Sequence, residues 1–355
     1  MNILCDFHHS DLWWSHHLIF ERGLGHTLFR PRGMEWHTEG YILPNNPDVA
    51  RQFLEHSMYD FDFAMKHFEK ARPRLEKEAD DTLWVGMDTI NGCPYYPLFR
   101  TLTFEEFKDT KIDVLMATVS NHQVPFIELK NKYKPNAKLL REEGNVGGFD
   151  HFNQNFPNLM TSDVPTYEKV TASNKVLYHQ RFDLGIFYSS PTSYQKRIGS
   201  FHPSFRNTPE MVTFAEAHWT QMPEVAFYDY GFTGRNGFCN TKSQLADAMR
   251  QVSFVWHVKP IGDGFGHIIH NAFAVGRPVI TVGSHYEGRI AGRLLEDEIT
   301  CIMLNPDKQV ENIKKINRNW KKLEDMSRQA FTRFYEVVKY DQELKILEQF
   351  IERLE

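Results

Sequence analysis

The sequence predicts an α/β protein built from two domains, each with a mainly parallel sheet. Strand-like and helix-like segments alternate through most of the chain, and this order is typical of parallel sheets. The chain has 355 residues, more than a single hydrophobic core usually serves, so two domains are expected. Apolar residues make up 41% and charged residues 25%, as in ordinary folded proteins.

The first domain begins with a strand–helix–strand unit. NILCDF at 2–7 is a short apolar strand, a helix follows from Leu12 to about Gly23, and TLFRP at 27–31 is the next strand. Asp11 is placed to cap this helix, and glycines follow its end where a left-handed turn is needed.

The alternation continues through the rest of the first domain. Residues 46–79 are predicted to be helical, and the acidic DFD at 60–62 within them is interpreted as surface acid rather than as a metal ligand. The further predicted strands are 82–87, 112–118, 137–144, 158–163 and 175–181.

A polar segment with a proline, SSPTSYQK, marks the predicted domain boundary. We therefore expect domains at 1–193 and 194–335, with a terminal helix at 336–355 that packs back toward the first domain. In the second domain Thr208 and Pro209 are predicted to start a helix. Its predicted strands are 197–205, 225–231, 253–259 and 277–283.

Charge and targeting signals exclude several classes of protein. A net charge of −5 and a pI near 6.4 do not indicate a general nucleic-acid or anionic-membrane surface. The start of the sequence lacks the pattern of a secretory signal, and no window approaches 18 consecutive apolar residues, so no membrane span is expected. The four cysteines are scattered without a CxxC pair, which favours a cytoplasmic location.

The most informative stretch is GDGFGHIIHNAFAVGRPVI at 262–280. Its glycines follow a predicted strand and precede a helix, whose unpaired N–H groups and dipole favour an anion such as phosphate. The dinucleotide pattern GxGxxG fails because position 267 is His, and no Gly-Lys-Ser/Thr follows as a P-loop would require. Asp263 and Asn271 lie eight residues apart, roughly 80° around a helix at about 100° per residue.

This stretch resembles the E-G-F-G-x4-E-A-M-A-x-G-x-P-V-V signature of the family-4 retaining glycosyltransferases, which have the GT-B fold. In register, Asp263 and Asn271 take the places of the two acids, and 272–280 follow the rest. The resemblance implies two Rossmann-like domains facing a cleft, closed by C-terminal helices. It also implies that Asp263 contacts the transferred sugar, that the helix start holds the diphosphate, and that Asn271 lies at the nucleotide ribose.

The implied function is transfer of a sugar from a nucleotide diphosphate sugar to an unknown acceptor hydroxyl. Retention and independence of metal are implied as well, with the donor as co-substrate and no cofactor. Two departures bear on this: Asp263 is shorter than glutamate by about one CH2 group, and Asn271 is neutral. The residues expected at the donor are Arg206, His257, Lys259, Gly264, Phe265, Gly266, His267, Asn271 and Glu287.

Plainer interpretations stand beside several of these assignments. His257 and Lys259 end a strand at the edge where α/β sheets bind ligands, yet they also suit a salt bridge there. Glu287 suits a helix cap equally well. His267 lies three residues before His270, but no third metal ligand is in register.

Polar loops after strand ends in the first domain supply candidates for the acceptor side. His122, Asp11 and Glu143 are expected to hold or deprotonate an acceptor hydroxyl, or else to cap helices. With Asp263, His122 and Asp11 complete the predicted catalytic set.

The acceptor stays open among small molecules, polysaccharides, proteins and modified DNA. Rival functions are a non-catalytic nucleotide-sugar-binding protein, a DNA-modifying glycosyltransferase of the phage type, and a sugar-nucleotide epimerase.

Overall fold

The computed structural model describes residues 1–6, 10–31, 84–86, 98–102, 104–192, 196–231, 233–239, 242–304 and 309–355. The chain divides into unit 1, Met1–Phe182 with Tyr340–Glu355, and unit 2, Asp183–Lys339. The division comes earlier than the predicted boundary at 193. Arg277, a buried side chain of unit 2, donates hydrogen bonds to the carbonyls of Ser190 and Pro191 at 3.1 and 2.8 Å and so joins these two residues to unit 2.

Unit 1 is built on one sheet with helices from both ends of the chain. Its strands are β1 (Asn2–Cys5), β2 (Thr27–Pro31), β3 (Trp84–Gly86), β4 (Leu98–Leu102), β5 (Val114–Ala117), β6 (Lys138–Glu143), β7 (Asn158–Thr161) and β8 (Asn174–Leu177). Its helices are α1 (Ser10–His16, continued as a π-helix over His17–Gly23), α2 (Phe104–Asp109), α3 (Gln123–Tyr133), α4 (Val164–Lys169) and, after unit 2, α10 (Tyr340–Glu352).

The strands of unit 1 run in the order β3-β4-β2-β1-β5-β6-β7-β8, parallel except for the β3–β4 pair. β1 and β5 are buried apolar runs, as parallel strands covered on both faces must be. β2 lies on one side of β1 and β5 lies on the other, so the direction in which successive strands are added reverses at the β1–β5 pair. In open α/β sheets such a switch point is where ligands bind.

Helix α10 completes the core of unit 1. Its residues Leu347, Phe350 and Ile351 pack against buried side chains of β1, β5 and β8. Side-chain amides of unit 1 also reach its end, since Asn174 donates to the Phe350 carbonyl at 3.2 Å and Asn158 to the Glu355 carbonyl at 3.1 Å.

Unit 2 is a smaller sheet in the order β10-β9-β11-β12-β13, with every pair parallel. The strands are β9 (Arg197–Ser200), β10 (Ala226–Asp229), β11 (Phe254–Trp256), β12 (Val279–Thr281) and β13 (Cys301–Met303). The helices are α5 (Pro209–Trp219), α6 (Lys242–Arg250), α7 (His267–Ala274), α8 (Gln309–Arg318) and α9 (Trp320–Val337). Apolar residues of α5, α8 and α9 cover one face of this sheet.

Two parallel α/β units confirm the predicted fold class, with differences in detail. The antiparallel β3–β4 pair brings in β4, a strand that the sequence did not predict. α1 begins at Ser10, so Asp11 lies in its first turn rather than at the cap. Thr208 does precede α5, but its hydroxyl donates to the Ser204 carbonyl at 3.1 Å instead of capping the helix.

The predicted helix at 46–79, with DFD at 60–62, lies outside the described residues. Within the described part of the chain, no helix combines the length and apolar character needed to cross a membrane.

Candidate functional site

The predicted motif lies in the segment that links β11 to α7, at the carboxyl edge of the unit 2 sheet. Gly262 and Gly266 adopt φ of 70° and 83°, a left-handed backbone that favours glycine. Gly266 takes the N-cap position of α7, which begins at His267. A side chain on Gly266 would also place its Cβ 2.9 Å from that of Ala291. These glycines let the chain turn sharply from strand to helix.

Asp263 is the centre of this segment, and three side chains in the described part of the chain donate hydrogen bonds to it. Nε2 of His257 donates to Oδ2 at 2.7 Å, and the Tyr286 hydroxyl donates to the same oxygen at 2.9 Å. Nζ of Lys259 donates to Oδ1 at 2.6 Å. The side chain of His257 is 2% exposed, that of Asp263 19% and that of Lys259 34%, so the cluster runs from the interior to solvent.

The charges of this cluster are set by its geometry. Burial opposes ionisation of Asp263, but the His257 imidazole and the Lys259 ammonium outweigh it and hold the pKa of the carboxyl well below its usual range. Burial, with the Asp263 charge beside it, raises the pKa of the Tyr286 hydroxyl, which therefore remains a donor. Burial and the neighbouring His257 and Lys259 lower the pKa of His202 to about 4, so this imidazole is neutral at pH 7.

The start of α7 is packed with aromatic rings and amides. Phe265 is buried and stacks on His270, with ring centroids 4.0 Å apart and planes 14° apart. Nδ1 of His270 also lies 2.9 Å from the Gly266 carbonyl, so His270 supports the turn. His267 meets the edge of Phe265 at 4.8 Å and is half-buried. Asn271 is buried, and its Oδ1 has no hydrogen-bond partner within the described residues.

Arg206 and Glu287 lie apart from the hydrogen bonds around Asp263. Arg206 forms an ion pair with buried Asp229, to which its Nε donates at 2.6 Å, and a weaker one with Glu216. Its guanidinium therefore anchors the end of β10. Glu287 is exposed on the loop that follows Tyr286. Their assignment to the donor stays a prediction.

In unit 1 the structure pairs His122 with Asp6, at the β1–β5 switch point. Nδ1 of His122 lies 2.6 Å from Oδ2 of Asp6, and both side chains are buried. Asp6 also accepts from the backbone N–H groups of Thr118 and Val119 at 2.7 and 3.0 Å. Burial disfavours the Asp6 charge, but the His122 ring, the Thr118 hydroxyl and the Val119 N–H outweigh it and lower the pKa of the carboxyl. The carboxylate thus binds Nδ1 of His122 and fixes the orientation of the ring, including that of its other nitrogen, Nε2.

The remaining acceptor-side candidates have structural partners. Glu143 forms an ion pair with Arg141, whose NH1 donates to the Ala117 carbonyl at 2.9 Å. This pair braces the loop after β5 that carries His122. Asp11 lies in the first turn of α1, where the positive end of the helix dipole stabilises a carboxylate.

The sequence missed two members of these clusters. Tyr286 is adjacent to Glu287, which was predicted at the donor. Their position in the loop after β12 is the sequence feature that could have pointed to either residue. Asp6 directly follows β1, and the rule that ligand-binding residues follow parallel strands would have selected it over Asp11. Across the described residues, no group of three or more His, Cys, Asp or Glu side chains is arranged to hold a metal ion.

Comparison with known proteins identifies the class of fold. No protein-family profile matches the sequence, and no curated protein matches it either. HepE from Anabaena, solved with UDP, superposes with a TM-score of 0.59 at 9% identity, over 99% of this chain and 100% of HepE. Sucrose-phosphate synthase from Thermosynechococcus elongatus superposes with a TM-score of 0.53 at 9% identity, over 99% of this chain and 98% of the synthase. An alpha-glucosyltransferase solved with UDP and DNA containing an HMU base superposes with a TM-score of 0.54 at 10% identity, over 99% of this chain and 100% of the enzyme.

These proteins are glycosyltransferases with the GT-B fold. The chain therefore has the GT-B fold, which confirms the fold that the signature at 263–280 implies.

Proposed function

We propose that this protein is a glycosyltransferase that moves a sugar from a nucleotide diphosphate sugar to an acceptor hydroxyl. The observation that carries the proposal is the cluster around Asp263 at the carboxyl edge of a parallel sheet. His257, Lys259 and Tyr286 hold this carboxylate directly before the glycine-capped start of α7. The order of acid, glycine turn, helix and Asn271 is that of the glycosyltransferase signature, in a chain with the matching fold.

The geometry suggests how each group serves the transfer. The first turn of α7 offers N–H groups and a positive dipole end to the diphosphate, and the partly exposed Lys259 adds a cation. Asp263 accepts a hydrogen bond from a hydroxyl of the sugar. As the bond from the anomeric carbon to the phosphate oxygen breaks, the acceptor oxygen bonds to that carbon. Its proton passes to the departing diphosphate, whose negative charge the helix and the lysine stabilise.

Retention of configuration and independence of metal form part of this proposal. Proton transfer to the leaving diphosphate needs no separate base, and fixed cationic and dipolar groups take the place of a divalent ion. The acceptor class remains open among a small molecule, a polysaccharide, a protein and modified DNA. A DNA acceptor has a precedent in the alpha-glucosyltransferase solved with DNA, whose fold is similar.

A second candidate is a protein that binds a nucleotide sugar without turning it over. Asn271 favours it, because a neutral amide with one acceptor oxygen stands where the signature has a carboxylate. Its buried Oδ1 has no partner among the described residues and can accept one hydroxyl.

The test combines nucleotide binding with turnover. Thermal unfolding is recorded with a panel of nucleoside diphosphates and their sugars, starting with UDP-glucose because HepE was solved with it. A ligand at about 100 times its Kd stabilises the folded chain by roughly 2.7 kcal/mol, which is a clear rise in Tm. Release of sugar is measured in the same samples.

We expect binding of one base and slow release of its sugar. Asp263→Asn is expected to lower the rate of release roughly 100-fold or more, since it removes a charged acceptor at the sugar. Asp325→Asn, a change of the same kind on the surface of α9, serves as the control. No rise in Tm with any nucleotide contradicts the proposal, and binding without release by the unaltered protein supports the binding protein instead.

A further inference from the structure

Among the described residues, Tyr286 is the partner of Asp263 that comes from a distant part of the chain. It follows a short helical turn, Gly283–His285, after β12, and its side chain is completely buried. Its hydroxyl donates to Oδ2 of Asp263 at 2.9 Å, across 23 residues of sequence. The loop after β12 therefore belongs to the cluster around Asp263.

Two glycines hold the backbone of Tyr286 in place. A Cβ on Gly262 would lie 2.2 Å from the carbonyl oxygen of His285, and a Cβ on Gly292 would lie 2.2 Å from that of Tyr286. Only glycine permits backbone packing this close. Arg289 also donates from Nε to the His285 carbonyl at 3.1 Å. The backbone at Tyr286 is thus packed on both sides, and the buried phenol extends from it to Asp263.

The hydrogen bonds divide the two oxygens of Asp263 between different tasks. Oδ2 accepts from two buried donors, His257 and Tyr286, whereas Oδ1 accepts from the partly exposed Lys259. A carboxylate oxygen offers about two acceptor directions. Oδ2 is therefore filled, and Oδ1 is the oxygen with capacity for a further donor.

We propose that Tyr286 is a positioning residue, which holds Oδ2 of Asp263 so that Oδ1 meets a hydroxyl of the donor sugar. The inference rests on the proposed function. Tyr286 itself does not touch the sugar, and it acts by restricting the carboxylate to one orientation. Its contribution is therefore to the rate of sugar transfer or release, and not to the affinity for the nucleotide.

The test uses Tyr286→Phe, which removes the hydroxyl and keeps the ring. We expect kcat for sugar release to fall roughly 10- to 100-fold, the loss typical of a hydrogen bond to a charged group. The KM for the nucleotide sugar and the rise in Tm with the nucleoside diphosphate should change less than about threefold. Tyr335→Phe on α9, which also removes a phenolic hydroxyl, is the control expected to leave kcat unaltered.

A double-mutant cycle with Asp263→Asn separates positioning from a structural role. If Tyr286 acts through Asp263, Tyr286→Phe lowers kcat little further in the Asp263→Asn background. Full and independent losses in both backgrounds would overturn the inference, as would an unchanged kcat in Tyr286→Phe alone. Absence of nucleotide binding by the unaltered protein would instead overturn the proposed function, so the two failures are distinguishable.

Discussion

Glu142 is a buried carboxyl group whose replacement by glutamine should stabilise unit 1 at alkaline pH. It lies on β6 with its side chain completely buried, and it accepts a hydrogen bond from the Tyr178 hydroxyl at 2.8 Å. Burial, followed by the charge of Glu143, raises the pKa of Glu142 from 4.5 to about 8, although the Tyr178 hydrogen bond opposes the rise. The folded chain thus keeps a proton at pH 7 that the unfolded chain releases.

The expected magnitude follows from linkage. Because the folded state binds the proton more tightly, its stability falls as pH rises from 4.5 through about 8. At about 1.36 kcal/mol for each step of one in pKa, the loss is on the order of 3 kcal/mol at pH 7 and 5 kcal/mol above pH 8. Glu142→Gln removes this loss, because a neutral carbonyl still accepts from Tyr178. The amide N–H groups bring a cost of roughly 1–3 kcal/mol that does not depend on pH.

The measurement is the difference in unfolding free energy between variant and wild type across pH 4 to 9. Hydrogen exchange of β5–β7 in urea reports on unit 1 by itself, since two units need not unfold together. Glu348→Gln on the exposed surface of α10 is the control. We expect the variant to gain on the order of 3–5 kcal/mol over wild type between low and high pH. A difference that is constant with pH would refute the reasoning.

Two further changes test the packing of unit 2. Gly262→Ala should destabilise unit 2 by about 3–4 kcal/mol, because the added Cβ would lie 2.2 Å from the His285 carbonyl oxygen. The control is Gly288→Ala, at a similar φ of 68° but with open space around the added Cβ, which should cost roughly 1–2 kcal/mol. Equal losses of Tm in the two variants would contradict this explanation. Arg277→Met should cost about 3–5 kcal/mol in urea unfolding, because it leaves buried carbonyls such as that of Gly276 without this donor. A cost below about 1 kcal/mol would show that these carbonyls find other donors.

The sequence predicted local features of the site better than distant ones. His257, Lys259 and Asp263 are separated by a few residues, so a strand end followed by a glycine turn is enough to bring them together. Tyr286 joins them only through the sheet, because β11 and β12 are neighbours and the loops after both meet at one edge. No local pattern distinguishes Tyr286 from Glu287, whose orientations depend on the turn between them and β12.

The same limit applies to charged side chains whose partners lie on other strands. Nothing in the sequence around Arg206 indicates its ion pair with the buried Asp229 on β10. Asp6 was hidden because the predicted first strand ran through it, whereas β1 ends at Cys5. The alternation of strands and helices, by contrast, depends on composition and periodicity within short windows, and it predicted most of the described elements.

The late position of α10 in the chain has a consequence for folding during synthesis. All residues of unit 2 are contiguous, so unit 2 can fold as soon as they have left the ribosome. Unit 1 is translated first, but the apolar surface that Leu347, Phe350 and Ile351 cover stays open until unit 2 has been made. Unit 1 is therefore the first to be translated and the last to complete its fold. Over that interval unit 1 exposes this apolar surface, which favours aggregation.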